Sequence, residues 1–306
     1  MSGSGSCELS LVLACYQEEG HLVESVREIE ATLQAAGYDY ELILIDDCSR
    51  DATPRIVAGL CADEPRRRCV LHPRNVGRGG TVAEGFRLAR GRIVGFLDVD
   101  LEVHCRYLPQ MVDAIRAGRD GATAYREYDL EWTPSALARY LMSRGYRLLF
   151  RLLLGAPFRD TEAGFKFFVR ERILPVLDQT ENRGWFWDTE IMVLAHRAGL
   201  DLVELPCRFV RRADKKSTVR MFRDSWDYLV ALLRFRRRLR SGLKVPGTFH
   251  PLEPPAVPDR ERAGIGRTRS AQRLSWPATA WDIDTRYRRR RPSWPQPSSA
   301  RLRRRS

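Results

Sequence analysis

Residues 93–102 read Ile-Val-Gly-Phe-Leu-Asp-Val-Asp-Leu-Glu, an uninterrupted apolar run that breaks into acid at Asp98, Asp100 and Glu102. Five apolar residues bounded by charge are too few for a buried helix and suit a strand covered on both faces. In an extended segment, residues two apart point the same way, so Asp98 and Asp100 can face one ligand together. Two hard oxygen donors that leave most coordination positions to water and phosphate match Mg²⁺ or Mn²⁺ in a nucleotide site.

Outward from this stretch the pattern repeats. Apolar runs at Leu9 to Ala14, Glu41 to Ile45, Val70 to His72, Ala122 to Tyr125 and Phe165 to Val169 are expected strands, and helical periodicity separates them. Leu22, Val26, Ile29 and Leu33 recur at helical spacing, as do Met111, Val112 and Ile115. Strands alternating with helices predict an α/β fold, a mostly parallel sheet covered by helices. In such sheets ligands bind beyond the carboxyl ends of the strands. Here those ends carry Asp46-Asp47, then the Asn75 to Gly80 turn with Gly77 and Gly79, then the Asp98 and Asp100 pair. Asp46 or Asp47 is suited to accept hydrogen bonds from a ribose or base, while Thr53-Pro54 reads as a helix start.

The formal charge of +13 is concentrated in the tail: residues 246–306 hold 14 Arg, no Lys and five acids, a net of +9, leaving +4 for residues 1–245. The pI of about 9.8 therefore describes mostly the tail, and acidic strand ends would repel a nucleic-acid phosphate, so no nucleic acid is expected as partner. The tail also holds 9 of the 17 Pro and is expected to be disordered. The seven Cys form no CxxC pair and read as buried free thiols of a cytosolic protein. The start, MSGSGSCELS, has neither the basic nor the apolar region of a signal peptide, and no apolar run is long enough to span a bilayer. A cytoplasmic protein, with contact to the cytoplasmic face of a membrane, is the expectation.

The ordered set LVLACYQEEGHL (11–22), ELILIDDCSRDAT (41–53), NVGRGGTVAEGFRLARG (75–91), FLDVDLE (96–102), DTEAGFKFFVRE (160–171), WFWDTEIMVLAHRAG (185–199) and ELPCRFV (204–210) resembles the family 2 glycosyltransferases of the GT-A (Rossmann-like) fold. Within them it is most similar to the dolichyl-phosphate mannose and glucose synthases and their bacterial polyprenyl-phosphate relatives. The resemblance covers roughly residues 8–220. It implies that Tyr16, Glu18 and Asp46 contact the base and ribose of a nucleoside-diphosphate sugar, and that Asp98 and Asp100 hold donor and metal. Glu102 stands beside them, where these synthases often have Gln or Ser. Arg126 and Arg139 match arginines that hold an acceptor phosphate. Arg212, Lys216 and Ser217 match a segment that closes over the donor phosphates, with the usual Ser-Lys order altered. Asp188 lies close to where relatives that use hydroxyl acceptors place their catalytic base.

The organisation expected is a flexible start (1–7), a catalytic domain (8–220), an amphipathic helix with a membrane-surface composition (221–245) and the Arg/Pro-rich tail (246–306). In that helix Trp226, Leu229, Val230 and Leu233 form a stripe followed by Arg234, Arg236, Arg237, Arg238 and Arg240, and Leu137, Leu141, Leu148 and Leu152 form another within 134–154. Such stripes suit a lipid interface or a core-facing helix with a solvated basic face. His104, near the acidic pair, reads as a surface histidine. The reading that follows is inverting transfer of a sugar from a nucleoside diphosphate to a polyprenyl phosphate. Transfer to a hydroxyl of a soluble metabolite or glycan is the enzymatic alternative, and nonenzymatic binding of nucleic acid or membrane by the tail is the other.

Overall fold

The computed structural model describes residues 7–128, 153–211 and 221–242, the last segment with side chains from residue 227 onward. Arg139, Arg212, Lys216, Ser217, the Leu137, Leu141, Leu148 and Leu152 stripe, the Trp226 side chain and the tail lie outside these.

Seven strands form one sheet: β1 (Leu9–Cys15), β2 (Tyr40–Asp46), β3 (Arg67–Leu71), β4 (Ile93–Leu97), β5 (Gly121–Glu127), β6 (Phe165–Val169) and β7 (Leu202–Arg208), in the order β3-β2-β1-β4-β6-β5-β7. Among the described strands only β6 runs antiparallel, between β4 and β5. The other six strands share one direction, so their carboxyl ends line one edge. The mostly parallel sheet and the α/β class expected from the sequence are therefore present. Two strand expectations need correction. The third strand runs Arg67–Leu71 and ends before His72. The edge strand β7 was not anticipated, because Leu202–Arg208 interleaves apolar residues with Glu204 and Pro206, the half-exposed composition of an edge.

Alternation along the strands feeds two cores. Leu9, Leu11, Leu13, Leu42, Leu44, Phe165 and Phe167 face one side, packing against α1 (Leu22–Ala35), α2 (Thr53–Cys61) and α4 (Leu108–Arg116). Val12, Ile43, Ile45, Phe96 and Phe168 face the other, against α3 (Arg78–Leu88), α5 (Arg170–Leu177), α6 (Trp187–Arg197) and α7 (Met221–Arg240). On α7 the residues that pack are Tyr228, Ala231, Leu232, Phe235 and Leu239, whereas Leu229 and Leu233 of the expected stripe are exposed. One face is core and the neighbouring one stays apolar and open. The thiols also differ from expectation: Cys15, Cys105 and Cys207 are buried, but Cys7, Cys48 and Cys61 are partly open and Cys69 is exposed.

Candidate active site

Backbone strain marks the cleft. The three described non-glycine residues in the left-handed region, Gln17 (φ 59°), Cys48 (φ 62°) and Leu101 (φ 55°), follow the carboxyl ends of β1, β2 and β4. Such conformations cost free energy and persist where the surroundings over-determine them, which is commonly at a ligand site. The first two loops are stitched together: Gln17 N–H donates to Ser49 Oγ (2.9 Å), Glu18 N–H to Thr53 Oγ1 (2.8 Å) and Ala52 N–H to Glu19 Oε2 (2.8 Å). Helix α2 starts at Thr53-Pro54 as expected, but its N-cap position is Ala52 and has no side-chain cap; Asp51 Oδ1 accepts from Thr53 N–H (3.0 Å) just ahead of it.

Asp46 and Asp47, adjacent in sequence, do different work. Asp46 is buried at the end of β2; Oδ2 accepts from Ser49 N–H (3.1 Å), and Oδ1 is buried with no hydrogen-bond partner. An orphaned carboxylate oxygen below the cleft is costly unless a donor from outside meets it. Asp47 is committed internally: Oδ1 accepts from Val76 N–H (2.7 Å) and lies 2.9 Å from His72 Nδ1, and Oδ2 accepts from Gly77 N–H (2.9 Å). Its carboxylate builds the glycine turn instead of reaching for a ribose. The glycines of that turn likewise serve packing. A Cβ at Gly77 (φ 87°) would stand 2.4 Å from the Arg183 carbonyl oxygen, and one at Gly79 2.3 Å from Trp187 Cβ. The start of α3 is thus pressed against residues 183–187, with Gly80 N–H donating to Arg183 O (3.0 Å).

The turn's main product is Arg78, a residue the motif reading passed over because its glycine neighbours drew the attention. Its guanidinium lies over the rings of Phe96 (5.2 Å) and Trp185 (5.4 Å). Its edge donates to Asp98 Oδ1 from Nε (3.0 Å) and Nη2 (2.6 Å), and from Nη1 to Asp188 Oδ2. Asp188, 1% exposed, accepts with its other oxygen from Lys166 Nζ at 2.7 Å, and Lys166, the second residue of β6, is 0% exposed. Two carboxylates and two cations therefore form one chain, Asp98–Arg78–Asp188–Lys166, beneath the cleft. Burial pushes the Lys166 ammonium down from its ordinary range, and Asp188 works against that push.

Asp98 stands at the upper end of this chain with 43% of its side chain open. The side of its carboxyl turned inward against Gly164 and Arg78 is desolvated although the rest is open, which raises its pKa; Arg78 draws it back and Asp100 raises it again. Asp98 and Asp100 are two hard oxygen donors that follow the same strand, the donor type a divalent ion takes. Oδ2 rests against Gly164, where an added Cβ would come within 1.9 Å. Asp100 Oδ1 caps the turn by accepting from Glu102 N–H (3.2 Å), while the Glu102 carbonyl accepts from Val210 N–H, tying the turn to the segment after β7. Tyr16, exposed, follows β1 at the same edge, and the buried Glu18 pairs with His21 at 2.7 Å. Arg126 is at the end of β5 as expected, but its fork is taken by Asp160 (Nε 2.7 Å, Nη2 3.0 Å). Burial works to raise the Asp160 carboxyl, and Arg126 outweighs it and holds the pKa below the ordinary value. Glu190 anchors α7 through Arg238 (2.7 Å) and accepts from the Glu181 and Asn182 N–H groups. His104 is a half-buried helix cap, accepting from Arg106 N–H and pairing with Glu28 at 2.8 Å. The surface histidine expected is therefore half-buried and engaged.

Comparison with known proteins agrees with this geometry. The model of glycosyl transferase family 2 matches residues 10–173. Glycosyltransferase AglD of Haloferax volcanii is 36% identical over 68% of this chain, and the chain spans 34% of AglD's length. The dolichyl-phosphate beta-glucosyltransferase of Drosophila melanogaster is 31% identical over 71% of this chain and 72% of its own. Glucosyl-3-phosphoglycerate synthase from Mycobacterium tuberculosis, solved with Mn²⁺, UDP-glucose and phosphoglyceric acid, shares the fold, with TM-score 0.56 and 20% identity over 75% of this chain and 79% of that one. Mannosyl-3-phosphoglycerate synthase from Rubrobacter xylanophilus does so with TM-score 0.55 and 19% identity, over 83% and 79%. The sheet is thus the GT-A fold, and with a family model matching more than half of its residues this chain belongs to glycosyl transferase family 2.

Proposed function

We propose that the chain is an inverting glycosyltransferase that moves a hexose from a nucleoside-diphosphate sugar to a polyprenyl phosphate. The observation that carries the choice of acceptor is the state of Asp188. A sugar or metabolite hydroxyl needs a general base, whereas a phosphate monoester has a second pKa of about 6 and already bears the attacking charge at neutral pH. Asp188, the candidate base, is buried with one oxygen on Lys166 and the other on Arg78. A carboxylate so occupied is poorly disposed to take a proton from an alcohol, and a nucleophile that needs no base avoids the difficulty. Relatives that act on dolichyl phosphate support the same choice.

On the donor side, Asp46 Oδ1 supplies an acceptor for a base or ribose N–H or O–H, with Tyr16 and Glu18 beside it. Asp98 and Asp100, with Glu102 adjoining, would hold Mg²⁺ or Mn²⁺, which when bound neutralises charge on the leaving diphosphate. Arg78 fixes the orientation of Asp98. On the acceptor side, Arg126 with Arg139 would receive the phosphate; at Arg126 the phosphate must share the guanidinium with Asp160. Arg212, Lys216 and Ser217 would close over the donor. The catalytic domain would span residues 8–220, with α7 and the tail as membrane-directed elements; no helix among the described residues is long and apolar enough to cross a bilayer.

Thermal shift with UDP-glucose and GDP-mannose, each with and without Mn²⁺, tests the donor reading, since a ligand that stabilises only with metal identifies the nucleotide. For the acceptor, Asp188→Asn compared with wild type on polyprenyl phosphate and on a soluble alcohol is decisive. Glycosylation of the alcohol alone, dependent on the Asp188 carboxylate, replaces this reading with the hydroxyl-acceptor one.

A further inference from the structure

Helix α7 meets the segment ahead of α6 with both apolar and charged groups. The Phe186 ring packs edge-on against Tyr228 and Phe235, at 5.1 and 5.7 Å between ring centres. Arg238, three residues after Phe235 and so on the same helix face, is 19% exposed and reaches that segment with its whole fork. Nη1 donates to Glu190 Oε1 (2.7 Å), Nη2 donates to the Gln179 carbonyl, and Nε lies 3.0 Å from Glu181 Oε1. Glu190 is 2% exposed, and its second oxygen accepts from the Glu181 (3.0 Å) and Asn182 (2.8 Å) N–H groups. One guanidinium in the last turn of α7 therefore fixes the start of this segment through a backbone carbonyl and a buried carboxylate.

Burying an ion pair adds little net stability, because desolvation of the two charges offsets their attraction. A planar fork that meets several positions of one segment instead sets its geometry, which the point charge of an ammonium does less well. The segment so held has no slack against the cleft. Asn182 Oδ1 accepts from Gly184 N–H (2.8 Å), and the Arg183 carbonyl accepts from Gly80 N–H (3.0 Å) and leaves no room for a Cβ at Gly77. Trp185 covers the Arg78 guanidinium at 5.4 Å, and Arg78 donates twice to Asp98 Oδ1. In packing this close, a displacement of residues 179–187 passes to the first turn of α3 and from there to the Asp98 carboxylate.

We propose that Arg238 is a positioning residue of the donor site: it holds residues 179–187 in the arrangement that keeps Arg78, and through Arg78 the Asp98 carboxylate, in place for a nucleoside diphosphate and its metal. This rests on the donor reading above for its purpose. The working unit then extends past residue 220 to the last turn of α7, and a change there weakens donor binding in a chain whose strand-end carboxylates are all intact.

Hydrogen–deuterium exchange of the full chain without ligand, and calorimetry with Mn²⁺ and UDP-glucose or GDP-mannose, test this together. Arg238→Met keeps the aliphatic stem and removes the fork. Its exchange should quicken at 179–186 and, across the contact, at 77–82. Its Kd for the nucleotide sugar should rise roughly 10-fold, the size expected when the support of a metal-binding carboxylate is loosened. Arg237→Ala, an equal loss of charge at an exposed neighbour, should change neither. Arg238→Lys should fall between wild type and Arg238→Met in both readouts, and it carries the test if Arg238→Met does not fold. Wild-type exchange at 77–82, or unchanged affinity for the nucleotide sugar, in the folded variant overturns the proposal. Should wild type bind neither nucleotide sugar, the donor reading falls and exchange at 77–82 alone decides whether Arg238 holds the Arg78 turn; tight binding that survives in Arg238→Met removes the positioning role and leaves the donor reading standing.

Discussion

Replacing Asp188 by Asn separates a structural carboxylate from a catalytic base. Asp188 is 1% exposed and holds Lys166, itself 0% exposed, at 2.7 Å, with Arg78 on its other oxygen. Asp188→Asn leaves the Lys166 ammonium buried beside a neutral amide, and breaking a buried pair by removing one partner costs about 3–5 kcal/mol. Lys166→Met should cost less, about 1–3 kcal/mol, because Asp188 keeps Arg78. If the two act as one pair, the double variant Lys166→Met/Asp188→Asn should be no less stable than Asp188→Asn alone, a coupling at least as large as the cost of Lys166→Met, about 1–3 kcal/mol. Urea denaturation followed by circular dichroism measures all four proteins. At about 2–4 °C per kcal/mol for a domain of this size, Asp188→Asn should lower Tm by roughly 6–20 °C. Additive effects, or a loss below about 1 kcal/mol in Asp188→Asn, refute the buried-chain argument and return Asp188 to the role of base.

Other consequences follow from the same geometry. Asp100→Asn should abolish metal-dependent donor binding, read by calorimetry with Mn²⁺ and UDP-glucose, with stability unchanged. Asp98→Asn should abolish it too, but at a cost of about 1–2 kcal/mol in urea, because it also loses two charge-assisted bonds from Arg78, partly open to water. Gly79→Ala should lower stability by about 1–3 kcal/mol, since its new methyl meets the side chain of Trp187; an unchanged denaturation midpoint would show that α3 can shift at no cost. Removing residues 246–306 should leave turnover of a detergent-solubilised acceptor nearly unchanged while weakening attachment to anionic vesicles, where each surface Arg contributes roughly 1 kcal/mol; a folded but inactive truncation contradicts this.

Continuous apolar runs and the carboxylates that end them made the sheet and its functional edge readable in the sequence, because a strand buried on both faces has no other composition available to it. Edge strand β7 lacks that constraint, and its mixed composition hid it. Local sequence could not divide Asp46 from Asp47: only the fold brings Val76 and Gly77 N–H to one and leaves an oxygen of the other unpaired. Arg78 and Lys166 were hidden for a related reason. Their partners lie 20 to 110 positions away along the chain, and a cation inside a glycine turn or an apolar strand shows its purpose only when those partners are in place. The helical stripe of α7 was legible as amphipathic, but which flank met the core depended on Phe186 and Thr189.

The most direct test of the account incubates the purified full chain with Mn²⁺, radiolabelled UDP-glucose or GDP-mannose, and polyprenyl phosphate, with 3-phosphoglycerate as the competing soluble acceptor. The expected result is an acid-labile, organic-soluble glycosyl phospholipid whose formation stops on chelation and in Asp100→Asn. Label that passes to 3-phosphoglycerate or another soluble alcohol, with none in the lipid, would contradict the central claim.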